Sequence, residues 1–397
     1  MPRFEPFPAL RYGASDLGPL VAPPYDVLSE SDLDELEARD PHNIVHVDVP
    51  RERDGANRYE AAGERLRSWI ADEVMVRDRE PSFTLYRMRF TDEAGRAREI
   101  VGVVGALEVV DEGAGGVLPH ERTTPKASTD RLDLTRATEA NLSPVWGLSL
   151  AGGLTATLTA PGEPVGSVTV DGVEHSVERV TDGGRIAEIA TRVAGDDVLI
   201  ADGHHRYSVA RTYRDEVRAR TGTNDSPAEL TLAFVSELVE DQLSVAAIHR
   251  VYRSIDRHTL VAALGSGFTI SPAGQVDAGT LAAMQSRGSL CLVDRDGNGM
   301  WLDPRPDAFD HVRALDGAWL EHVLAGSDAD VAYQHGVDEV RALMRDDPSV
   351  VAAVLIRPVS VTEIERTAHE GLLMPPKSTF FTPKLRTGFV VRELAAS

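Results

Sequence analysis

The residues best suited to chemistry lie in one short segment, where an apolar strand leads into the start of a helix. Residues 198–201 (VLIA) precede Asp202, and Gly203 then permits a tight turn that brings backbone close to a ligand. The first N–H groups of a helix have no partner within it, and the helix dipole adds about half a positive charge there. The segment therefore predicts an anion site at the start of the helix.

Three basic side chains, His204, His205 and Arg206, fall in the first turn of this predicted helix. Charged cations there oppose the helix dipole, at a cost of about 0.3–1 kcal/mol each. A bound anion would offset that cost, and Arg206 suits a phosphate because its guanidinium presents a planar fork of donors. The alternative is that Asp202 caps the helix and the two histidines are neutral polar residues.

Metal binding is a further alternative for the same segment. His204 and His205 point about 100° apart on a helix, and no HExxH or CxxC spacing accompanies them, which disfavours a dedicated zinc site. Magnesium prefers carboxylate and phosphate oxygens. Asp202 is therefore the candidate for orienting a Mg²⁺ ion.

Three other polar segments contain chemically capable residues, each with a plain alternative. Lys377, Ser378 and Thr379 follow two prolines and can donate to phosphate oxygens, although, taken alone, this segment fits a solvated loop better. Residues 120–126 (HERTTPK) lie between apolar strands, where a charged surface loop is the alternative. Residues 23–26 (PPYD) form a rigid loop that could present its aspartate, or a structural turn.

Composition and charge exclude several classes of function. The net charge of −22 repels nucleic-acid backbones and anionic membranes, so neither is expected as a partner. No apolar run approaches the ~18 residues of a membrane span, and no signal peptide is evident, so we expect a cytoplasmic protein. Cys291 is the single cysteine, and its apolar neighbours predict an inert residue in a buried strand.

The elements that must position these residues alternate between strands and helices, which predicts an α/β (or α+β) fold. The long helix at residues 203–220 has one apolar face, because Val209, Tyr213 and Val217 repeat every four residues. Residues 43–49 alternate like a strand. We expect three regions, at residues 1–150, 151–265 and 266–397.

Familiar catalytic motifs are missing from the sequence. There is no GxSxG elbow, no protein-kinase catalytic loop, no Walker A loop and no GxGxxG after a strand. The usual hydrolase, protein-kinase and Rossmann-type interpretations therefore have no support.

Taken together, the polar segments resemble one family, the bacterial proteins described as domain of unknown function 1015 (DUF1015). The residues that carry the resemblance are 22–27 (APPYDV), 43–45 (NIV), 120–123 (HERT) with Lys126 and 130–131 (DR), 201–207 (ADGHHRY) and 374–380 (MPPKSTF). They extend over nearly the whole chain, and in combination they are highly specific. Because the family has no settled activity, the resemblance specifies the fold relatives better than the reaction.

A looser resemblance concerns the motif DGHHR at residues 202–206, which is similar to the phosphate-binding motif of the ParB/sulfiredoxin-like superfamily. It implies a ParB/sulfiredoxin-like core at residues 197–252 with additional mixed β-sheet regions. It also implies nucleotide phosphates at the helix start, as in free-serine kinases. Sulfiredoxin chemistry needs a cysteine where His204 stands, and ParB-type DNA binding needs a basic helix-turn-helix, so both are disfavoured.

These resemblances imply a small-molecule phosphotransferase that uses a nucleotide (ATP or ADP), with Mg²⁺ as a possible cofactor. Relatives associated with serine biosynthesis favour free serine, or a similar hydroxyl metabolite, as the acceptor. A phosphatase of phosphoserine or a nucleotide, and a nucleotide-binding regulator without rapid turnover, are the alternatives. The candidate catalytic residues are Glu121, Asp26, Asp202 and His204. The candidate phosphate or nucleotide ligands are Gly203, His204, His205, Arg206, Arg122, Lys126, Lys377, Ser378 and Thr379.

Overall fold

A computed structural model describes residues 1–92, 95–119, 128–277, 279–375 and 377–395. These residues form two compact units, Met1–Ser244 with Pro383–Ser397, and Val245–Thr382. Among the described residues, no helix is both long and apolar enough to cross a membrane. Strands and helices mix throughout both units, which confirms the predicted α/β class.

The strands, in chain order, are β1 (Phe4–Glu5), β2 (Leu10–Tyr12), β3 (Met75–Arg77), β4 (Phe83–Thr91), β5 (Ala97–Glu108), β6 (Val117–Pro119), β7 (Ala140–Asn141), β8 (Val145–Ser149), β9 (Glu163–Val170), β10 (Val173–Val180), β11 (Val198–Asp202), β12 (Leu230–Glu237), β13 (Val245–Ala246), β14 (Ile248–Arg253), β15 (Phe268–Gln275), β16 (Leu290–Val293), β17 (Asn298–Pro304), β18 (Asp330–His335), β19 (Ala352–Leu355), β20 (Phe380–Phe381) and β21 (Arg392–Glu393).

The helices are α1 (Glu30–Arg39), α2 (Val45–Asp48), α3 (Arg58–Ala71), α4 (Ser128–Thr138), α5 (Leu154–Leu158), α6 (Gly183–Val193), α7 (His204–Thr221), α8 (Arg257–Gly267), α9 (Thr280–Arg287), α10 (Asp316–Val323), α11 (Val337–Asp346) and α12 (Val361–His369). Short 3-10 helices lie at Tyr25–Val27, Glu52–Asp54, Pro227–Glu229 and Glu240–Gln242.

The first unit is organised by a mixed sheet of nine described strands in the order β6-β11-β8-β12-β5-β4-β10-β9, with β1 paired to β5. β11 runs parallel to β6 and antiparallel to β8. Strands from both predicted regions, 1–150 and 151–265, are interleaved in this sheet, so the predicted boundary at residue 150 falls inside one structural unit. The last residues of the chain also return to this unit, where β21 pairs with β7.

The second unit has an antiparallel sheet of six described strands in the order β15-β17-β16-β19-β14-β18. Separate clusters of buried apolar side chains include alternate residues of its strands, such as Leu292 in one cluster and Cys291 in the other. The thiol of Cys291 is buried, and burial raises its pKa to about 11, as expected for an unreactive cysteine.

The prediction of a strand at residues 43–49 is wrong, because the chain forms the short helix α2 there. The side chain of Asn43 accepts a hydrogen bond from the backbone N–H of Val45 at 3.1 Å, which favours a turn over an extended strand. Val45, Val47 and Asp48 are all buried. In so short an element that is buried on several sides, the apolar pattern does not separate helix from strand.

Candidate functional site

The predicted strand-to-helix turn is present and lies in the first unit, between β11 and α7. The pairing of β11 with β8 shifts register between Ile200 and Asp202, so Ala201 is an extra residue in the strand. Such a bulge redirects the following side chain. Gly203 is the N-cap of α7 and has φ +85°, a left-handed conformation that favours glycine. The alternative in which Asp202 caps α7 is therefore wrong.

Arg206 folds back over this turn. Its side chain is 10% exposed, and Nη2 donates to Oδ2 of Asp202 at 3.1 Å, while Nη1 donates to the carbonyl oxygen of Pro144. Its Nε is buried and has no hydrogen-bond partner among the described residues. A Cβ atom on Gly203 would lie 2.9 Å from that Nε, so only glycine leaves room for this arginine conformation. A guanidinium has five N–H donors, so Arg206 keeps at least its Nε–H unused beside the first turn of α7.

Asp202 is held between two cations rather than exposed as a metal ligand. Its Oδ2 lies 3.4 Å from Nζ of Lys384, in addition to the contact with Arg206. Burial opposes ionisation of Asp202, but the charges of Lys384, Arg206 and His204 outweigh burial and hold its pKa below the ordinary value. Because two cations already neutralise the carboxylate, Asp202 does not fit a magnesium ligand. Within the described ranges, no group of three or more His, Cys, Asp or Glu residues could hold a metal ion.

A cavity of about 50 Å³ lies next to Arg206 in the same unit. Its polar lining includes Tyr25, Asp48, Arg131, Asn141, Ser143 and Arg206. Helices α4 and α7 pack through one apolar cluster that contains Leu132, Val209 and Tyr213. This packing places Arg131, at the start of α4, and Arg206, at the start of α7, on the wall of one cavity.

Arg131 is fixed in this wall by three kinds of contact. Its Nη1 donates to the backbone oxygen of Asp48 at 2.7 Å and to the Oδ1 atom of Asp48 at 3.2 Å. Its Nε and Nη2 each lie 3.3 Å from Oδ2 of Asp130. The guanidinium also stacks over the ring of Tyr25, with Cζ 4.1 Å from the ring centroid.

Other predicted residues of the first unit lie around the same turn. Asp26 is exposed in the 3-10 helix Tyr25–Val27, and its charge is near enough to help raise the pKa of Arg206 against the effect of burial. His204 is buried and His205 is half-buried in the first turn of α7. The structure therefore brings Asp26, Asp202 and the basic first turn of α7 together.

The structure does not test the remaining predicted residues as phosphate ligands. Glu121, Arg122 and Lys126 lie outside the described residues. Lys377, Ser378 and Thr379 belong to the second unit. There the carbonyl oxygen of Lys377 accepts from Nη1 of Arg250 at 3.1 Å, and the hydroxyl of Ser378 donates to the Pro375 carbonyl at 2.7 Å. Their part in a phosphate site stays a prediction.

Sequence reasoning gave no role to three residues of the site, Asp48, Arg131 and Lys384. Arg131 stands in one of the segments that carry the family resemblance, and Lys384 closely follows another, so each could have been included by its neighbourhood. Asp48 has no such signal, because it lies within residues 43–49, for which the sequence predicts a strand.

Comparison with known proteins identifies a family. The model of the family described as "Protein of unknown function (DUF1015)" matches residues 4–318. No curated protein matches the chain.

Several solved structures are similar at low scores. A conserved hypothetical protein from Pyrococcus furiosus is 12% identical with a TM-score of 0.39, over 70% of this chain and 92% of that chain. A free serine kinase in complex with AMP is 12% identical with a TM-score of 0.38, over 69% of this chain and 89% of that chain. SbnI with C-terminal truncation from Staphylococcus aureus is 12% identical with a TM-score of 0.40, over 73% of this chain and 87% of that chain. Scores at this level indicate neither a shared substrate nor a shared reaction.

Proposed function

The chain belongs to the DUF1015 family of proteins of unknown function, and from its site we propose that it is a nucleotide-dependent phosphotransferase acting on free serine or a similar hydroxyl metabolite. The observation that carries the proposal is the turn at Gly203. A left-handed glycine opens a long helix, and a nearly buried arginine lies over it with one donor unused. Together, the helix N-terminus, the glycine and the guanidinium donors of the arginine suit a phosphate ligand.

Phosphoryl transfer needs positioning and positive charge more than it needs covalent participation of the protein. The transferring group would lie at the first turn of α7, where Gly203, His204 and His205 supply backbone N–H groups and Arg206 supplies its guanidinium. Asp202 would hold Arg206 in place. Free serine as the acceptor follows from the resemblance of the motif at residues 202–206 to free-serine kinases.

A carboxylate is needed to orient or deprotonate the acceptor hydroxyl. Asp26 is the described candidate, because it is exposed beside Tyr25 and near the charge of Arg206. Asp202 is less suited to this role, since Arg206 and Lys384 keep it paired and ionised. Glu121 remains a second candidate base, and Arg122 and Lys126 remain candidate phosphate ligands from the same segment. Lys377, Ser378 and Thr379 also remain candidate phosphate ligands.

A nucleotide, ATP or ADP, would be the phosphate donor. Since Asp202 does not fit a magnesium ligand, any Mg²⁺ ion would be held mainly by the phosphate oxygens of the nucleotide and by water, as is usual for this ion.

The direct assay incubates the full chain with serine, Mg²⁺ and either ATP or ADP, and measures O-phosphoserine. We expect product only when a nucleotide is present, and none with the variant Arg206→Ala. The control Arg211→Ala removes an arginine from the exposed side of the same helix, where it pairs with Glu112, and should leave the rate unchanged. Phosphate release from phosphoserine without nucleotide would replace the proposal with a phosphatase. Stoichiometric nucleotide binding with no product over hours would replace it with a regulator.

A further inference from the structure

Asp48 is a buried acid on the cavity wall to which the phosphotransferase proposal gives no role. It ends α2 and is 3% exposed. Arg131 and Arg206 line the same cavity, which places two guanidinium groups beside one carboxylate. A carboxylate is rarely buried this completely without a partner. Its partner is Arg131, from α4.

The contact between these two residues fixes the arginine at one end. Nη1 of Arg131 is shared between the Oδ1 atom and the backbone oxygen of Asp48, at 3.2 and 2.7 Å. A second carboxylate, Asp130, and the ring of Tyr25 hold the rest of the guanidinium. An arginine whose guanidinium is already held by several contacts loses little further conformational entropy when it binds a ligand.

Two arginines on one small cavity repel each other unless an anion lies between them. Asp48 supplies that negative charge in the absence of ligand, because its charge acts on both Arg131 and Arg206. Among the described residues, the charged or titratable groups around Asp48 and Arg131 also include Asp26 and Tyr25 of the 3-10 helix and Asp130 of α4. The hydroxyl of Ser143 is within hydrogen-bonding reach of the carboxylate.

We propose that Asp48 is a positioning residue that holds Arg131 opposite Arg206, so that the two guanidiniums form a paired site for a tetrahedral dianion such as a phosphoryl group. This rests on the proposed function through Arg206, which lines the cavity and also supplies the guanidinium of the proposed phosphate site. The cavity of about 50 Å³ is too small for a nucleoside, so it would accept only the phosphoryl end of a larger ligand.

Anion binding between the two arginines should depend on pH. An anion bound between the arginines competes with ionised Asp48 for their charge, so binding raises the pKa of that carboxyl further. Burial already raises the pKa above its ordinary value against the opposing charges of Arg131 and Arg206. A group whose pKa rises on binding takes up a proton, so anion affinity increases as the pH falls toward that pKa.

The test uses sulfate as the probe, because sulfate stays a dianion across pH 5–8 while phosphate does not. Titration calorimetry on the full chain compares wild type, Asp48→Ala and Asp48→Asn, with Asp34→Asn as a control acid from the exposed face of α1. We expect Asp48→Ala to weaken sulfate binding at least tenfold at pH 7. Asp48→Asn keeps an acceptor for Arg131, so its affinity should stay within threefold of wild type, with a flatter dependence on pH between 5 and 8.

Any of three results would overturn the inference. Asp48→Ala could bind sulfate with an affinity within twofold of wild type, or Asp48→Asn could bind it as weakly as Asp48→Ala does. The third is a sulfate affinity of Asp48→Asn that depends on pH as the wild-type affinity does. If Asp48→Ala does not fold, the pH dependence of Asp48→Asn decides. Every other titratable group is the same in all the variants, so only the difference from wild type counts. If the wild-type protein binds no sulfate, the proposed phosphate site itself is contradicted. If it binds sulfate with an affinity that does not depend on Asp48, only the role of Asp48 is contradicted.

Discussion

Replacing Arg206 by alanine is expected to weaken the binding of pyrophosphate, ADP or ATP by about 100-fold or more. One guanidinium that makes two charge-assisted hydrogen bonds contributes about 3–6 kcal/mol, and each 1.4 kcal/mol is about tenfold in affinity. Affinity is measured by titration calorimetry at fixed ionic strength. The melting temperature should fall by only a few degrees, because Asp202 keeps Lys384 as its partner in the variant.

Two further variants separate shape from charge. Arg206→Lys keeps the positive charge but not the fork of donors, so we expect an affinity between those of wild type and alanine. Arg211 lies on the same helix and forms a surface ion pair with Glu112. The variant Arg211→Ala should therefore bind the nucleotide as the wild type does. Unchanged nucleotide affinity in Arg206→Ala would show that the ligand binds elsewhere.

Gly203→Ala is expected to damage both stability and binding. A left-handed conformation costs a non-glycine residue about 1–2 kcal/mol, and φ at this position is +85°. The added Cβ would also lie 2.9 Å from Nε of Arg206 and so force the guanidinium out of its position. We expect pyrophosphate affinity to fall at least about tenfold, as measured by calorimetry, and the free energy of unfolding to fall by about 1–2 kcal/mol, as measured in urea.

The opposite end of the same helix offers a matched control. Gly222 is the C-cap of α7 with φ +70°, and a Cβ there would meet no atom within 4 Å. Gly222→Ala should therefore lose comparable stability and keep wild-type affinity. Equal losses of affinity in both variants would mean that Gly203 acts through stability alone, without positioning Arg206.

The local part of the site could be predicted from sequence because its signals are short-range. An apolar strand, a turn glycine and a helix with a four-residue repeat predicted residues 203–220 as a helix, and α7 spans His204–Thr221. The buried face through Val209, Tyr213 and Val217 is also confirmed. Each of these features depends on residues within a few positions of one another.

The rest of the site depends on contacts between residues that are distant in the chain. Asp48 meets Arg131 across 83 positions, and Lys384 reaches Asp202 from a segment that returns to the first unit near the end of the chain. Residue types at such separations carry no periodic signal. The incorrect strand prediction at residues 43–49 also prevented the identification of Asp48, because an acid at the end of a predicted strand does not indicate a site.

The boundary between the two units also depends on contacts between distant parts of the chain. No long proline- or serine-rich linker marks a boundary, and the strands of the large sheet come from both sides of residue 150. The second unit is instead an insertion, since the first unit resumes at Pro383. A return of the chain to an earlier unit depends on sheet pairing such as β21 with β7, which composition does not reveal.

The most direct test of the phosphate site is a titration of the isotope-labelled chain with pyrophosphate, followed through backbone amide resonances. A phosphate at the start of α7 should shift the amide signals of Gly203, His204, His205 and Arg206 more than those of the helix end near Gly222. The same titration of Arg206→Ala should leave these signals in place. Saturable pyrophosphate binding that shifts other amides and leaves residues 203–206 unmoved would contradict the site.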